Sequence, residues 1–509
     1  MTRRALAACA LGAAFVLGSP AIATASTVAT SAAVSTDPVP PDVVLVVTDD
    51  QRWDTLEGMP SVQEHLVGPG VTFSEAFVVN PLCCPSRTSI LTGLYSHSTG
   101  VYRQAPPFGR FEAFDDTSTL ATWLDDAGYH TAMVGKYVDG GQGAMLRGYV
   151  PPGWDEWLAF VHADYEDYQL SRNGMIESLG GAAEDYSTDV LAHEAIRIVH
   201  EAEGPLFLMF APAAPHEPAT PAARHRDAPI SLPPQRPPNY DEVDVGDKPP
   251  WLRTLPPLSM DDRARLDALR VDHARSLLAV DDAVGRLVTT LEETGRLENT
   301  IFIYLSDNGL AFGEHRWTKK EVPYEESIRV PLVVRADRIV TQPRVDTRLA
   351  LNIDLAPTIA ELAGIEPPGS FDGRSLVPAL RGSDGPWRRD FLIEHLEGSN
   401  PVTTYCAVRT ERELYVEYRD GFRELYDLRL DPYQLENAAG DRSVAARERS
   451  LAERLAVLCD PPPPDVAPIV RQAVAGGPVA AGVAAGALVS VAIGAVLGRR
   501  RRSPPRIAT

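Results

Sequence analysis

Asp42 to Thr48 reads DVVLVVT, an unbroken apolar and β-branched run that stops at Asp49-Asp50. A strand without polar alternation turns neither face to water, so the pattern predicts a buried strand of a parallel sheet. Ile301 to Leu305 (IFIYL) repeats it and empties into Ser306-Asp307-Asn308-Gly309. Leu206 to Phe210 is a third such strand, leading into a loop that holds His216, and Thr131 to Val134 a shorter one before Gly135-Lys136. Between them the period becomes helical. Leu120, Leu124 and Ala127 share one face of Thr117 to Ala127, with Gly128 as the stop. Leu191, Ala195, Ile198 and Val199 do the same in Asp189 to Ala202, and Leu277, Val280, Val284, Leu287, Val288 and Leu291 in a helix that ends at Gly295. Alternating strands and helices predict an α/β fold, a large mixed and mostly parallel sheet covered by helices on both faces.

Other stretches set the organisation. Pro221 to Pro257 is polar and proline-laden, which predicts a surface excursion over the site, without regular structure. From about Pro386 the pattern turns to short alternating strands, such as Glu413 to Tyr418, and a helix from Ser443 to Leu458. Residues 386–460 are therefore expected to form a smaller α+β domain after a main domain at 41–385. Residues 1–25 read as a signal peptide, with Arg3 and Arg4, the apolar Ala5 to Gly18 and the small-residue site Ala23-Thr24-Ala25, followed by a linker at 26–40. Pro461 to Pro464 begins a stiff stalk over 461–478. Residues 479–498 are an Ala-, Gly- and Val-rich run long enough to cross a hydrocarbon core, and the basic tail 499–509 would stay cytoplasmic. The expectation is an exported protein, anchored by one C-terminal span on the extracellular face of the cell membrane.

Charge narrows the partners. A formal net charge of −21 over 509 residues excludes a general nucleic-acid partner, because no broad basic surface is left to neutralise phosphates. An anionic small substrate remains compatible, since a few cations focused in a cleft outweigh the global charge. Of five cysteines, Cys9 falls in the signal peptide and Cys83 and Cys84 are adjacent. Cys406 and Cys459 are expected to bridge in an oxidising compartment.

The chemistry concentrates in Pro81 to Gly93, PLCCPSRTSILTG. Cys83-Cys84-Pro85-Ser86-Arg87, then Leu91-Thr92-Gly93, resembles the sulfatase signature Cys-x-Pro-Ser-Arg-x-x-x-x-Thr-Gly. The resemblance implies an alkaline-phosphatase-like fold and places formylglycine at Cys83, made by a formylglycine-generating enzyme. A hydrated aldehyde carries two hydroxyls on one carbon, so one can attack sulfur and leave a covalent sulfate while the other later expels it. Asp49, Asp50, Asp307 and Asn308 match the family's metal ligands beside residue 83, and an all-oxygen set suits Ca²⁺ or Mg²⁺.

Further resemblances assign the remaining roles. Gly135-Lys136-Tyr137 corresponds to an element whose lysine contacts sulfate, and Ala214-Pro215-His216-Glu217-Pro218 to a loop whose histidine assists the leaving group. Lys320, four residues before Tyr324-Glu325, matches a second sulfate lysine, with Lys319 as the adjacent alternative. Arg87 would steady residue 83 and its surroundings. Where many members carry a histidine two residues after the first lysine, Val138 stands here. That form resembles the N-acetylglucosamine-6-sulfatase branch and points to a sulfated sugar or small-molecule substrate. Two alternatives stay open: a phosphonate or phosphodiester hydrolase of the same superfamily, and a catalytically silent surface-binding protein.

Overall fold

The computed structural model describes residues 40–464, apart from 231, 233 and 234. Ten strands form its main sheet. In chain order these are β1 (Asp42–Thr48), β2 (Val71–Phe73), β4 (His130–Gly135), β5 (Glu156–His162), β6 (Gln169–Arg172), β7 (Met175–Ser178), β8 (Leu206–Ala211), β9 (Thr300–Ser306), β10 (Leu332–Ala336) and β11 (Arg344–Asp346). Across the sheet they lie in the order β11-β2-β10-β9-β1-β8-β4-β5-β6-β7. The central run β9-β1-β8-β4-β5 is parallel throughout. Antiparallel β10 flanks it on one side and β6-β7 on the other. Two large apolar clusters line opposite faces of this sheet, one gathering Val43, Leu45 and Val47 of β1, the other Val44 and Val46. That division explains why the predicted strands read as continuous apolar runs. Every residue of β1, β8 and β9 is buried.

The predicted helices are present with shifted ends. Ser187–Glu201 and the long Met260–Glu293 turn their apolar faces to the cluster shared by Val44 and Val46. The helix expected from Thr117 spans Leu120–Asp126 instead, because Thr119 caps it in a reciprocal box with Thr122 and leaves the polar residues before it outside. Ala127 lies past its end and is exposed, so it does not share the apolar face.

One expectation needs a larger correction. The stretch from Pro221 to Pro257 is not only a surface excursion: Asn239, Lys248 and Leu252 are fully buried in it. It also forms a short helix at Pro250–Arg253. Lys248 Nζ donates to the carbonyl of Leu435 at 2.6 Å, and the His315 N–H to the carbonyl of Asn239 at 2.6 Å. Polar residues that sequence reading assigns to water here are buried with hydrogen-bond partners far along the chain.

A two-stranded sheet pairs β3 (Ala76–Phe77) with β12 (Ala350–Leu351). A four-stranded antiparallel sheet follows, β13 (Asp390–His395), β14 (Tyr405–Thr410), β15 (Glu413–Tyr418) and β16 (Arg423–Asp427), with the helix Ala445–Leu458 against it. Cys406 and Cys459 form a disulfide between β14 and the end of that helix. No helix among the described residues is long and apolar enough to cross a membrane. The expected signal peptide (1–25) and span (479–498) lie outside the described residues.

Candidate active site

Strand register assembles the site. β1 and β9 run parallel with Thr48 opposite Ser306, so Asp49-Asp50 and Asp307-Asn308 leave the sheet side by side at its carboxyl edge. Asp50 adopts a left-handed backbone, φ 67°, which Asp tolerates better than most residues. Its N–H donates to Asp307 Oδ1 at 3.2 Å. The next strands, β8 and β4, deliver His216 and Lys136. Gly135, φ 122°, ends β4, and a Cβ there would lie 2.0 Å from the Ala211 carbonyl oxygen. Only glycine lets the two strand ends meet so closely.

Opposite this edge, the helix Cys83–Thr92 begins at the cysteine itself, and all ten of its residues are buried. Cys83 Sγ lies 3.3 Å from Asp49 Oδ1 and 3.9 Å from Asp50 Oδ1. Lys320 Nζ donates to the same sulfur at 2.8 Å and pairs with Asp50. Lys319, by contrast, is exposed, so Lys320 is the lysine that enters the site. Lys136 Nζ contacts Asp49 Oδ2 at 2.5 Å. Arg87 is fully buried, with Nε on Asp307 Oδ2 and one Nη on the Lys136 carbonyl, each at 2.7 Å. His216 Nδ1 lies 2.7 Å from the Glu217 carbonyl oxygen, which accepts its proton, leaving Nε2 to face Asp50 Oδ2 at 3.7 Å. Asp49, Asp50, Cys83, Arg87, Lys136, His216, Asp307, Asn308 and Lys320 are thus brought together, and Lys319 is not.

The electrostatics fit a cation. Donor atoms of Asp49, Asp50, Cys83 and Asp307 all lie within 4.8 Å of one another. Burial and the neighbouring Asp49 lift Asp307 to about 6, although Arg87, Lys136 and Lys320 pull the other way. Burial would also lift Asp49, but Lys136, His216 and Arg87 hold it well below the usual carboxylate range. Asn308 Nδ2 donates to Asp50 at 2.6 Å, while its buried Oδ1 has no hydrogen-bond partner. Three crowded carboxylates and an orphaned amide oxygen offer hard oxygen donors to a divalent cation, with Cys83 beside them. The Cys83 thiol is pushed well up by burial and by Asp307 and Asp49. An unmodified cysteine here stays protonated and is a poor nucleophile.

Sequence reading missed three contributors. Asp139 lies 3.7 Å from Lys136 and accepts from Gln104 Nε2 at 2.7 Å. Its signal was a carboxylate three residues after a lysine ending a buried strand; Gln104 gave none. Glu321, the third, anchors the loop that carries Lys320. Its N–H donates to the Pro81 carbonyl at 3.1 Å, two residues before Cys83. Its own carbonyl accepts from the Tyr405 hydroxyl at 3.2 Å, and its carboxylate from Asn400. Farther on, Arg409 holds Glu325 at 2.9 Å, and Glu424 accepts the hydroxyls of Tyr324, Tyr418 and Tyr426 at 2.9, 2.6 and 2.6 Å. The four-stranded sheet therefore fixes the backbone that presents Lys320. Nearby, Arg52 donates to Glu314 at 2.7 Å, and His315 Nδ1 lies 2.6 Å from Glu242.

The chain is similar to known proteins along most of its described length. The sulfatase family model matches residues 41–365, and the model for the N-sulphoglucosamine sulphohydrolase C-terminal region matches residues 313–460. The chain is 35% identical over 450 residues to the goat (Capra hircus) N-acetylglucosamine-6-sulfatase, covering 78% of this chain and 80% of that protein. It is 32% identical over 370 residues to the extracellular sulfatase SULF-1 homolog of Drosophila melanogaster, which covers 70% of this chain but only 33% of that longer protein. Among solved structures, BT4656 with its substrate D-glucosamine-2-N,6-O-disulfate superposes at TM-score 0.71 and 24% identity, over 83% of this chain and 98% of that one. The phosphonate monoester hydrolase of Agrobacterium radiobacter superposes at 0.67 and 22%, over 83% and 96%.

Proposed function

This chain belongs to the sulfatase family and is a sulfuric ester hydrolase, and from that premise we propose that it cleaves a sulfated sugar by double displacement at residue 83. The observation that carries the reading is Cys83, which sits against Lys320 at 2.8 Å inside a ring of Asp49, Asp50 and Asp307. A cysteine held protonated there has no use as a thiolate, whereas a hydrated aldehyde at the same position is a competent oxygen nucleophile. Such a hydrate provides one hydroxyl to displace the alcohol from sulfur and a second whose deprotonation expels sulfate and restores the aldehyde.

Each side chain has a defined part. Lys136 and Lys320 would bind sulfate oxygens and offset charge on the transferring group. Arg87 positions rather than reacts, because its bonds to Asp307 and the Lys136 carbonyl lock two walls of the site. His216, with Nδ1 committed to a carbonyl, presents Nε2 to a departing oxygen. Asp49, Asp50, Asp307 and Asn308 would hold a divalent cation, which polarises the sulfate and favours an ionised hydroxyl at residue 83. Cys83 has no exposed surface, so the oxidising partner enzyme would meet this segment before it folds. The N-acetylglucosamine-6-sulfatase relative supports a sulfated sugar as substrate.

Mass spectrometry of the peptide containing residue 83 tests the reading. Active enzyme should carry the aldehyde at Cys83 and an intact Cys84. Cys83→Ala should abolish multiple turnover while Cys84→Ala retains some. Full activity with an intact Cys83 thiol would sink the mechanism. An aryl phosphodiester assayed beside an aryl sulfate separates this activity from the phosphonate hydrolysis carried on the same fold.

A further inference from the structure

Beside the nucleophile, a cavity of about 410 Å³ opens, lined by Asp49, Lys136 and His216 at its base. The part of the substrate that does not react must lie along its remaining wall. Three carboxylates, Asp139, Asp164 and Glu217, are on that wall. Against them stand Arg110 and the exposed His162. Arg110 is exposed, and its Nε donates to the Gln104 carbonyl at 2.9 Å. Gln104 adds another acceptor, since its buried side-chain Oε1 has no hydrogen-bond partner. Asp139 is kept ionised, as burial would lift its carboxyl but Lys136 holds it down. Asp164 spends one carboxylate oxygen on the Tyr165 N–H at 2.8 Å, and Glu217 lies 3.9 Å from Arg265. The wall is thus rich in acceptors and negative charge, and the cations of the floor are committed to the reacting sulfate.

We infer that Asp139, Asp164, Glu217 and Gln104 make the enzyme selective for a sulfate ester whose non-reacting part is a neutral or cationic hydrogen-bond donor, and that they discriminate against a second anionic group on the same ring. The inference rests on the sugar-sulfate reading and narrows it to rings that carry no second anion. Electrostatic exclusion of this kind acts across several ångströms and weakens with salt.

Three sugars that share a 6-sulfate and differ only at the 2-nitrogen test it: glucosamine, N-acetylglucosamine and N-sulfoglucosamine 6-sulfates. With aldehyde-bearing, Ca²⁺-loaded enzyme at low salt, kcat/KM should be on the order of tenfold lower for the N-sulfo sugar than for the other two. The gap should narrow at high salt. Asp164→Asn with Glu217→Gln should raise the N-sulfo sugar several-fold relative to the N-acetyl one. The amide oxygen introduced by Asp164→Asn can still accept from the Tyr165 N–H, and Glu217 is exposed, so the fold should persist. An N-sulfo sugar turned over as well as the N-acetyl one, or a ratio unmoved by the double substitution, would overturn the inference. If all three sugars are inert while an aryl sulfate turns over, the sugar reading itself falls. The charge inference is then decided on 4-aminomethylphenyl against 4-carboxyphenyl sulfate, where equal or reversed rates reject it.

Discussion

Replacing His216 with alanine isolates one proton-transfer step. Cleaving a sulfate ester leaves an alkoxide unless the departing oxygen receives a proton or a positive charge. A sugar alkoxide needs that help, and a nitrophenolate hardly does. The loop is held through its backbone: His216 N–H donates to Ala213 at 3.0 Å, and its carbonyl accepts from Ala219 N–H at 2.8 Å and the Tyr165 hydroxyl at 2.7 Å. The imidazole is 42% exposed, so its removal should change stability by no more than about 0.5 kcal/mol. Loss of general-acid assistance is worth about 10² to 10⁴ in rate, or roughly 3 to 5 kcal/mol of barrier. On a 6-O-sulfated sugar, His216→Ala should therefore lower kcat/KM by that factor; on 4-nitrophenyl sulfate, where only the contact with sulfate is lost, by about tenfold or less. Parallel progress curves on both substrates, with a thermal melt as the folding control, give the ratio directly. His216→Gln, which keeps a polar contact but cannot deliver a proton, should behave like alanine on the sugar. Equal losses on the two substrates would refute the reasoning and assign His216 to sulfate binding.

Three further outcomes are expected. Chelation should abolish activity and Ca²⁺ or Mg²⁺ restore it, with Asp307→Ala raising the metal concentration needed; zinc at full occupancy in the native site, measured by elemental analysis, would contradict the oxygen-ligand reading. Cys406→Ser with Cys459→Ser opens a loop of 53 residues and should cost about 4 kcal/mol in the chain-entropy model, read as a lower melting temperature without loss of kcat; an unchanged melt would show the bridge to be dispensable. Truncation after Pro464 should release a soluble, active enzyme from the membrane fraction, and a full-length protein already soluble with its tail intact would remove the proposed anchor.

The chain declares much of the site openly because Asp49-Asp50, Lys136, His216 and Asp307-Asn308 each follow a buried strand. An apolar run that stops abruptly at Asp49-Asp50 or at Ser306-Asp307-Asn308 marks the carboxyl edge of the sheet, and register does the rest. Sequence could not show that Gln104 would reach Asp139, or that Asn400 and Tyr405 would hold Glu321. Those pairs are 35, 79 and 84 residues apart and meet only through tertiary packing. The proline-rich stretch misled for a related reason. Its composition says loop, but Asn239 and Lys248 are polar residues buried against distant partners, and burial of that kind leaves no periodicity to read. Choosing between Lys319 and Lys320 likewise required coordinates, since spacing alone leaves adjacent lysines within one position of each other.

The fastening of Glu321 to Asn400 and Tyr405, and of Tyr324 to Glu424, bears on how such enzymes can be recombined. Lys320, which reaches Cys83, sits on a segment whose far side is buttressed by the last four strands, so those strands are not an interchangeable accessory. A chimera that joins this large sheet to the terminal strands of a relative inherits a misfitted buttress. It would fold its core and still misplace one cation against the nucleophile. Grafts between family members should keep residues 313–460 as a unit, and random recombination should rarely yield active offspring with crossovers between Lys320 and Tyr405.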